Sequence, residues 1–410
     1  MHTEITVTES KKITFPLLLL FVYIMIEYGK PAILDPIRPS VILQGLFLIF
    51  LIKNAGKVKE IIKDRYFILY IFLLMEMTVN GFIASNNYMA FMQWRLMISY
   101  FIFSLAFCLF IDSITAIRTF LTGFIIIVAI VAIALYLKVG AYLGGVRILG
   151  DTNDLALAMN VMIPISFFMG MSYRGIKRIF FWITTVIFVM TNVFAFSRGG
   201  FVGMAGVAFL CWWNTKAKMK SLLILLLIVI AFVTLIPQEY KAELHTITEE
   251  GVESGTGRDR IELWKVGWKM FLDNPLLGVG QGNMPYRLGE YQYDREGQSF
   301  WGREITTRTV HSIYVQVLAE LGIIGILIWG LIIKNILFKS RYVIRVNKEM
   351  PVGDDDQLFL KTAMTGLLIG LGGYFISGVF LSAFYYPYFW NLAGLITAVY
   401  IQSQRDQQAQ

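Results

Sequence analysis

Apolar stretches of about twenty residues recur along most of the chain, and they limit its fold more than any other feature. A helix needs about twenty predominantly apolar residues to cross the hydrocarbon core of a bilayer. The composition agrees with this, because 57% of the 410 residues are hydrophobic and only 16% are charged, whereas soluble domains are about 25% charged. We therefore expect an all-α, polytopic helical bundle in a membrane.

Length and hydropathy predict about twelve membrane helices. The first apolar run has no cleavage site of the A-x-A type, so we expect a retained helix and not a cleaved signal peptide. The two cysteines lie inside apolar runs, which argues against a disulfide framework. The approximate helix spans are 13–29, 37–52, 66–83, 94–111, 118–138, 154–173, 178–196, 199–214, 221–237, 309–338, 358–380 and 384–402.

The basic residues of the short loops predict the orientation of the bundle. They fall on one side of the membrane if both termini are cytoplasmic, as the enrichment of Lys and Arg in cytoplasmic loops requires. The net charge of +8 follows from this orientation, so no nucleic-acid partner is expected. The groups are Lys11–Lys12, Lys53–Arg65, Arg118, Arg174–Arg178, Lys216–Lys220, Lys334–Lys348 and Arg405.

This topology divides the chain into three parts. Residues 1–237 hold the first nine helices, and residues 309–410 hold the last three with a cytoplasmic tail. The segment 238–308 between them lies outside the cytoplasm. At roughly seventy residues it exceeds an ordinary connection, so it is expected to carry function.

The long outer segment contains an amphipathic pattern followed by glycines. Apolar residues alternate with charged ones over Glu262–Asp273, which predicts a short helix near the membrane interface. Asn274-Pro275 then ends that helix. Gly278, Gly280 and Gly282 indicate open loop geometry beyond it.

Two arginines at predicted outer helix ends are unusual. Arg198 precedes two glycines at the start of the eighth helix, and such a helix start can bind an anion. The alternative is an interfacial arginine whose side chain reaches toward water. Arg147 lies on the outer side, where basic residues are scarce. Asp151, near the start of the sixth helix, is expected to be a plain N-cap.

Arg258 and Arg260 flank Asp259 at the start of the amphipathic pattern. One interpretation is a surface ion pair. The other is a guanidinium pair that binds a diphosphate, because the planar donors of arginine match phosphate oxygens.

His311 precedes a long apolar helix at the outer interface. A lone interfacial histidine is more often structural than catalytic, but its ordinary pKa of about 6.5 suits a general base. Arg303 and Arg308 lie just before it, and nearby cations would lower the pKa of His311 and keep the ring neutral. Motifs for nucleotide, dinucleotide and zinc binding are absent from the sequence, so we expect a mechanism that uses arginine and no metal.

Five pieces of sequence, in order, resemble the O-antigen ligase and polymerase superfamily of bacterial envelope glycosyltransferases. The resemblance covers roughly residues 145–330, and no single piece is specific by itself. The pieces are Arg147-x-x-Gly150-x-x-Asn153, Ser197-Arg198-Gly199-Gly200, Gly257-Arg258-x-Arg260-x-x-x-Trp264, Pro275-x-x-Gly278-x-Gly280 and His311-Ser-x-Tyr314-x-Gln316-x-x-x-Glu320-x-Gly322.

The resemblance implies a GT-C-like protein of the bacterial inner membrane with a periplasmic active site, active in lipopolysaccharide biosynthesis. Such proteins transfer a glycan from undecaprenyl diphosphate to a hydroxyl of a lipid A-core sugar, a growing glycan or a protein. An O-antigen ligase is the preferred interpretation, and polymerase and protein O-oligosaccharyltransferase stay open. A polytopic transporter is the alternative from another class. The implied partners are the lipid-linked donor, the acceptor and membrane lipids, with no cofactor.

The resemblance also implies roles for individual residues. Arg198 and Arg260 would hold the diphosphate, and His311 would orient or deprotonate the acceptor hydroxyl. Arg260 is preferred as the loop arginine because it stands four residues before Trp264, with Arg258 second. The other residues expected to contact substrate are Arg147, Asn153, Arg308, Tyr314 and Gln316.

Overall fold

The computed structural model describes residues 14–29, 32–136, 151–215, 218–219, 255–293, 297, 299, 307–347 and 355–408. These residues form fourteen α-helices and no strands. The helices are α1 (Phe15–Gly29), α2 (Pro39–Lys53), α3 (Ala55–Ile62), α4 (Arg65–Ile83), α5 (Asn87–Phe110), α6 (Ile114–Tyr136), α7 (Thr152–Ser172), α8 (Gly175–Phe194), α9 (Arg198–Asn214), α10 (Gly255–Asp273), α11 (Met284–Tyr291), α12 (Ile313–Val346), α13 (Asp355–Ser377) and α14 (Pro387–Gln408).

Seven of the described helices, α4 to α8 with α12 and α13, are long and apolar enough to cross a membrane by themselves. The pair α2 and α3 passes the same test as one broken span, bent by 97°. Every predicted membrane helix corresponds to a described helix except the ninth, 221–237, which lies outside the described residues. The expected all-α, multi-pass membrane architecture is confirmed.

Helix limits differ from the predicted ones where polar groups decide them. α5 begins at Asn87 and not near residue 94, because the side chain of Asn86 accepts a hydrogen bond from the backbone N–H of Met89 at 3.1 Å. α12 continues past residue 338 to Val346. Lys339 in this extension is buried and donates to Asp64 at 2.5 Å, so hydropathy alone ended the predicted span too early.

Glycines let α13 pack closely along α7. A Cβ at Gly373 would lie 2.6 Å from the backbone oxygen of Asn160, and a Cβ at Gly370 would lie 2.8 Å from that of Val161. Small residues at such spacing allow two membrane helices to approach through their backbones. The contact carries the end of α13, and the short 3-10 helix Gly378–Phe380 after it, to the start of α9.

The amphipathic pattern in the long outer segment is confirmed as a helix, α10, which begins earlier than expected. Its apolar face packs on α11 and on the residues around the start of α12, and these elements together form a small core. The indole N–H of Trp264 donates to the backbone oxygen of Val310 at 3.1 Å. The small core formed there contains Leu263, Val266, Met270, Met284, Leu288, Val310 and Ala319.

The glycines after α10 take the left-handed conformations that their sequence indicated, but the loop is packed and not open. Gly278 and Gly280 have φ of 69° and 102°. The N–H of Gly280 donates to the backbone oxygen of Glu320 at 3.0 Å. α12 is interrupted at Gly322, whose φ is 61°, and the N–H of Ile323 donates to Pro275 at 2.9 Å. The loop and the interrupted helix therefore provide hydrogen-bond partners for each other's backbone N–H and C=O groups.

Candidate functional site

The start of α9 is fixed against α7 by close packing and buried hydrogen bonds. Ser197 caps α9 by accepting from the N–H of Gly200 at 3.0 Å. A Cβ at Gly200 would lie only 2.4 Å from the Cβ of Ala156. The side-chain amide of Asn160 donates to the backbone oxygen of Gly200 at 2.9 Å. Arg198, the first residue of α9, is thereby held half-buried at this end of the bundle.

Arg260 reaches the same place from α10. Its guanidinium carbon lies 5.9 Å from the ring centroid of Phe380. A Cβ at Gly199 would lie 2.9 Å from the Cβ of Phe380, so this ring contacts both the start of α9 and Arg260. Burial lowers the pKa of Arg260, the charge of Arg198 lowers it further, and Asp151 opposes the shift. A guanidinium group whose charge is disfavoured by burial and by a second guanidinium group forms, together with that group, a site suited to an anion.

His311 lies beside this arginine pair, immediately before α12. It is half-buried and has a positive φ of 51°, a conformation that costs free energy and has to be held by its surroundings. Burial lowers the pKa of His311, with Arg260 and Arg308 adding to the effect and Asp151 opposing it. The expectation that cations lower this pKa is confirmed for Arg308, but burial is the larger cause. Arg303 lies outside the described residues.

The neighbouring acid Asp259 pairs with a partner that the sequence did not indicate. Its Oδ2 accepts from Nη1 of Arg308 at 2.8 Å. The described basic partner of Asp259 is therefore Arg308 from the segment before α12, and the suggested pairing of Asp259 with a flanking arginine stays a prediction. The pair joins α10 to that segment and gives Arg308 a role in holding the site together.

Three other residues expected to contact substrate are hydrogen-bonded within the protein. Asn153 accepts from the Oγ of Ser197 at 2.7 Å. Gln316 is buried and accepts from the N–H of Phe384 at 3.3 Å. The hydroxyl of Tyr314 donates to the backbone oxygen of Phe375 at 2.9 Å. These contacts connect the helices around the site.

Two of the residues named from the sequence cannot be placed in the site. Arg147 lies outside the described residues. Arg258 belongs to α10 by its backbone, and its side chain is outside what the structure describes. Within the described residues, no three His, Cys, Asp or Glu side chains come close enough together to hold a metal ion.

Asp151 is the site residue whose role the sequence did not reveal, since it was expected only to cap α7. It does cap that helix, and its charge also acts on Arg260 and His311. Sequence spacing carries no signal for this, because Asp151 lies more than one hundred residues from both partners.

The comparison with known families matches this part of the molecule. The model of the O-antigen ligase family matches residues 179–330, a range that includes Arg198, Arg260 and His311 but not Asp151. No curated protein matches the chain. Four of the five sequence pieces lie within the matched range, so this region of the chain, which is a multi-pass membrane protein, is similar to the O-antigen ligase family.

Proposed function

We propose that the protein is a metal-independent glycosyltransferase of the ligase type. It moves a glycan from undecaprenyl diphosphate to a hydroxyl of a lipid A-core sugar at the periplasmic face of the bacterial inner membrane. One observation carries the proposal: the ring of Phe380 contacts the start of α9, where Arg198 lies, and its centroid is 5.9 Å from the guanidinium carbon of Arg260. The charge of Arg260 in turn lowers the pKa of His311. A diphosphate-binding pair and a candidate base thus lie side by side.

The location of this group relative to the bundle supports a periplasmic site. α13 begins with Asp355 and Asp356, which contact Arg118 in a predicted cytoplasmic loop. The opposite end of α13 leads to Phe380, beside Arg260. With both termini cytoplasmic, as the loop charges favour, the arginine pair faces the periplasm and the segment 238–308 is a periplasmic loop.

The proposed chemistry uses each group for one task. The acceptor hydroxyl attacks the anomeric carbon of the glycan while the bond from that carbon to the diphosphate oxygen breaks. His311 takes the hydroxyl proton, and its lowered pKa keeps it in the neutral form that a base requires. Arg198 and Arg260 stabilise the negative charge that develops on the departing diphosphate, and Arg258 is the second candidate for the loop arginine.

The test is reconstitution of the purified protein in liposomes with an undecaprenyl diphosphate glycan. Lipid A-core, a growing glycan and a Ser/Thr peptide are supplied as separate acceptors. We expect product with lipid A-core, with and without EDTA, and loss of product in Arg198→Ala, Arg260→Ala and His311→Ala. Arg341→Ala, at an exposed position of α12 on the other side of the bundle, is the matched control.

Other results of the same assay would assign a different activity to the protein. Product only with the growing glycan would make it a polymerase, and product only with the peptide would make it a protein O-oligosaccharyltransferase. A strict requirement for a divalent metal would contradict the arginine mechanism. Movement of the glycolipid across the bilayer without transfer would support the transporter alternative.

A further inference from the structure

A chain of hydrogen bonds joins the start of α7 to the start of α9. Oδ1 of Asp151 accepts from the backbone N–H of Asn153 at 2.9 Å and from its side-chain amide at 3.0 Å. Asn153 in turn accepts from Ser197 at 2.7 Å, and Ser197 caps the helix that begins with Arg198. Asp151 is therefore held in a fixed position relative to Arg198.

The negative charge of the Asp151 carboxylate also acts on the two other residues of the site, Arg260 and His311. Its charge raises the pKa of Arg260 and that of His311, against the effect of burial. Asp259, which precedes Arg260 in the sequence, is paired with Arg308 at 2.8 Å. All the hydrogen bonds described for Asp151 fall on Oδ1, so capping does not occupy its other oxygen.

We propose that Asp151 is a positioning residue that supplies the counter-charge of the Arg198, Arg260 and His311 cluster. Before the donor binds, its carboxylate offsets the repulsion between the two guanidinium groups and keeps them together. After transfer, the same carboxylate repels the diphosphate product and favours its release, a step that limits turnover in many enzymes. This inference rests on the proposed function, because it takes the arginines to be the diphosphate site.

A simple cap and a counter-charge respond differently to one substitution. Asparagine caps helices about as well as aspartate, so Asp151→Asn keeps the hydrogen bonds to Asn153 and removes only the charge. If Asp151 were only a cap, this variant would behave like the wild type. If it is the counter-charge, the variant binds a diphosphate more tightly and its His311 titrates at lower pH.

The binding experiment uses farnesyl diphosphate, a short prenyl diphosphate, and calorimetry of the protein in detergent. Removing one like charge from a half-buried anion site is expected to tighten binding about three- to tenfold. In the reconstituted assay, product inhibition by the same compound should strengthen by a similar factor. Asp273→Asn, which removes an exposed carboxylate at the far end of α10, is the matched control and should leave both values unchanged.

The titration of His311 gives a second measurement that does not depend on activity. The charged groups acting on this ring are Arg260 on α10, Arg308 in the segment before α12 and Asp151 at the start of α7. Because Asp151 raises the pKa of His311, Asp151→Asn should lower the midpoint pH for carbethoxylation of the ring by diethyl pyrocarbonate. His311→Ala supplies the background from the two other histidines, His2 and His245.

The outcomes separate this inference from the proposed function. Unchanged or weaker binding of farnesyl diphosphate by Asp151→Asn would overturn the counter-charge role, as would an unchanged midpoint for His311. If Arg260→Ala binds farnesyl diphosphate as tightly as the wild type, the proposed diphosphate site itself is wrong. Weak binding by Arg260→Ala together with tighter binding by Asp151→Asn supports both.

Discussion

Gly200→Ala tests whether the position of Arg198 depends on the close contact between α9 and α7. The added Cβ would lie 2.4 Å from the Cβ of Ala156, whereas two carbon atoms prefer about 3.5–4.0 Å. The start of α9 would therefore have to move away from α7 by about 1 Å. Overpacking of this kind costs about 1–3 kcal/mol, and a displacement of about 1 Å at a reacting group can cost about a hundredfold in rate.

The expected result is a large loss of transfer with a modest loss of stability. Transfer is measured in the reconstituted assay, and stability is measured by thermal unfolding in detergent. Gly45→Ala and Gly330→Ala are matched controls, because a Cβ at either position meets no atom within 4 Å. Both should keep full transfer, and their stability should rise slightly because alanine favours a helix over glycine by about 1 kcal/mol.

A second substitution checks the cause. Ala156→Gly removes the nearest atom that the new Cβ would meet and leaves the looser contacts of 3.1 and 3.2 Å with Ser197. The double variant Gly200→Ala with Ala156→Gly should therefore recover most of the transfer rate. Wild-type transfer in Gly200→Ala alone would refute the link between this contact and the arginine. A double variant as inactive as the single one would show that the loss has another cause.

Three further predictions concern the site and its support. Arg260→Gln should raise the pKa of His311, because the charge of Arg260 lowers it. The midpoint pH for carbethoxylation of His311 should therefore move to a higher value. An unchanged midpoint would contradict the interaction between Arg260 and His311. In the wild type, carbethoxylation of His311 should have its midpoint below about 6.5, the ordinary value, and a higher midpoint would contradict the effect of burial. Glu320→Ala should lower the free energy of unfolding by about 1–3 kcal/mol in thermal unfolding, because the N–H of Gly282 and the hydroxyl of Tyr385 would lose their acceptor. Tyr385→Phe should cost less, because it removes only one of these hydrogen bonds. Equal losses in the two variants would argue against this explanation.

The sequence by itself predicted the membrane architecture, which the structure confirms, and it supplied the candidate site residues. Apolar runs set the helices because each run has to satisfy its own backbone hydrogen bonds in lipid, and this is a local property. Arg198 could be named because an arginine at membrane depth is costly and therefore conspicuous. Arg260 and His311 could be named from the motif pieces that resemble the O-antigen ligase and polymerase superfamily. The amphipathic α10 and the left-handed glycines were predictable for the same reason, since periodicity and φ preference are written in a few neighbouring residues.

Only the tertiary structure decided which of these residues meet. Phe380 contacts both Arg260 and the start of α9, Asp259 pairs with Arg308, and Asp151 acts on His311. These partners are separated by tens to hundreds of positions, so their contacts follow from how α7, α9, α10 and α13 pack. Local hydropathy does not encode that packing, which depends on backbone approach at glycines and on buried hydrogen bonds between helices distant in sequence.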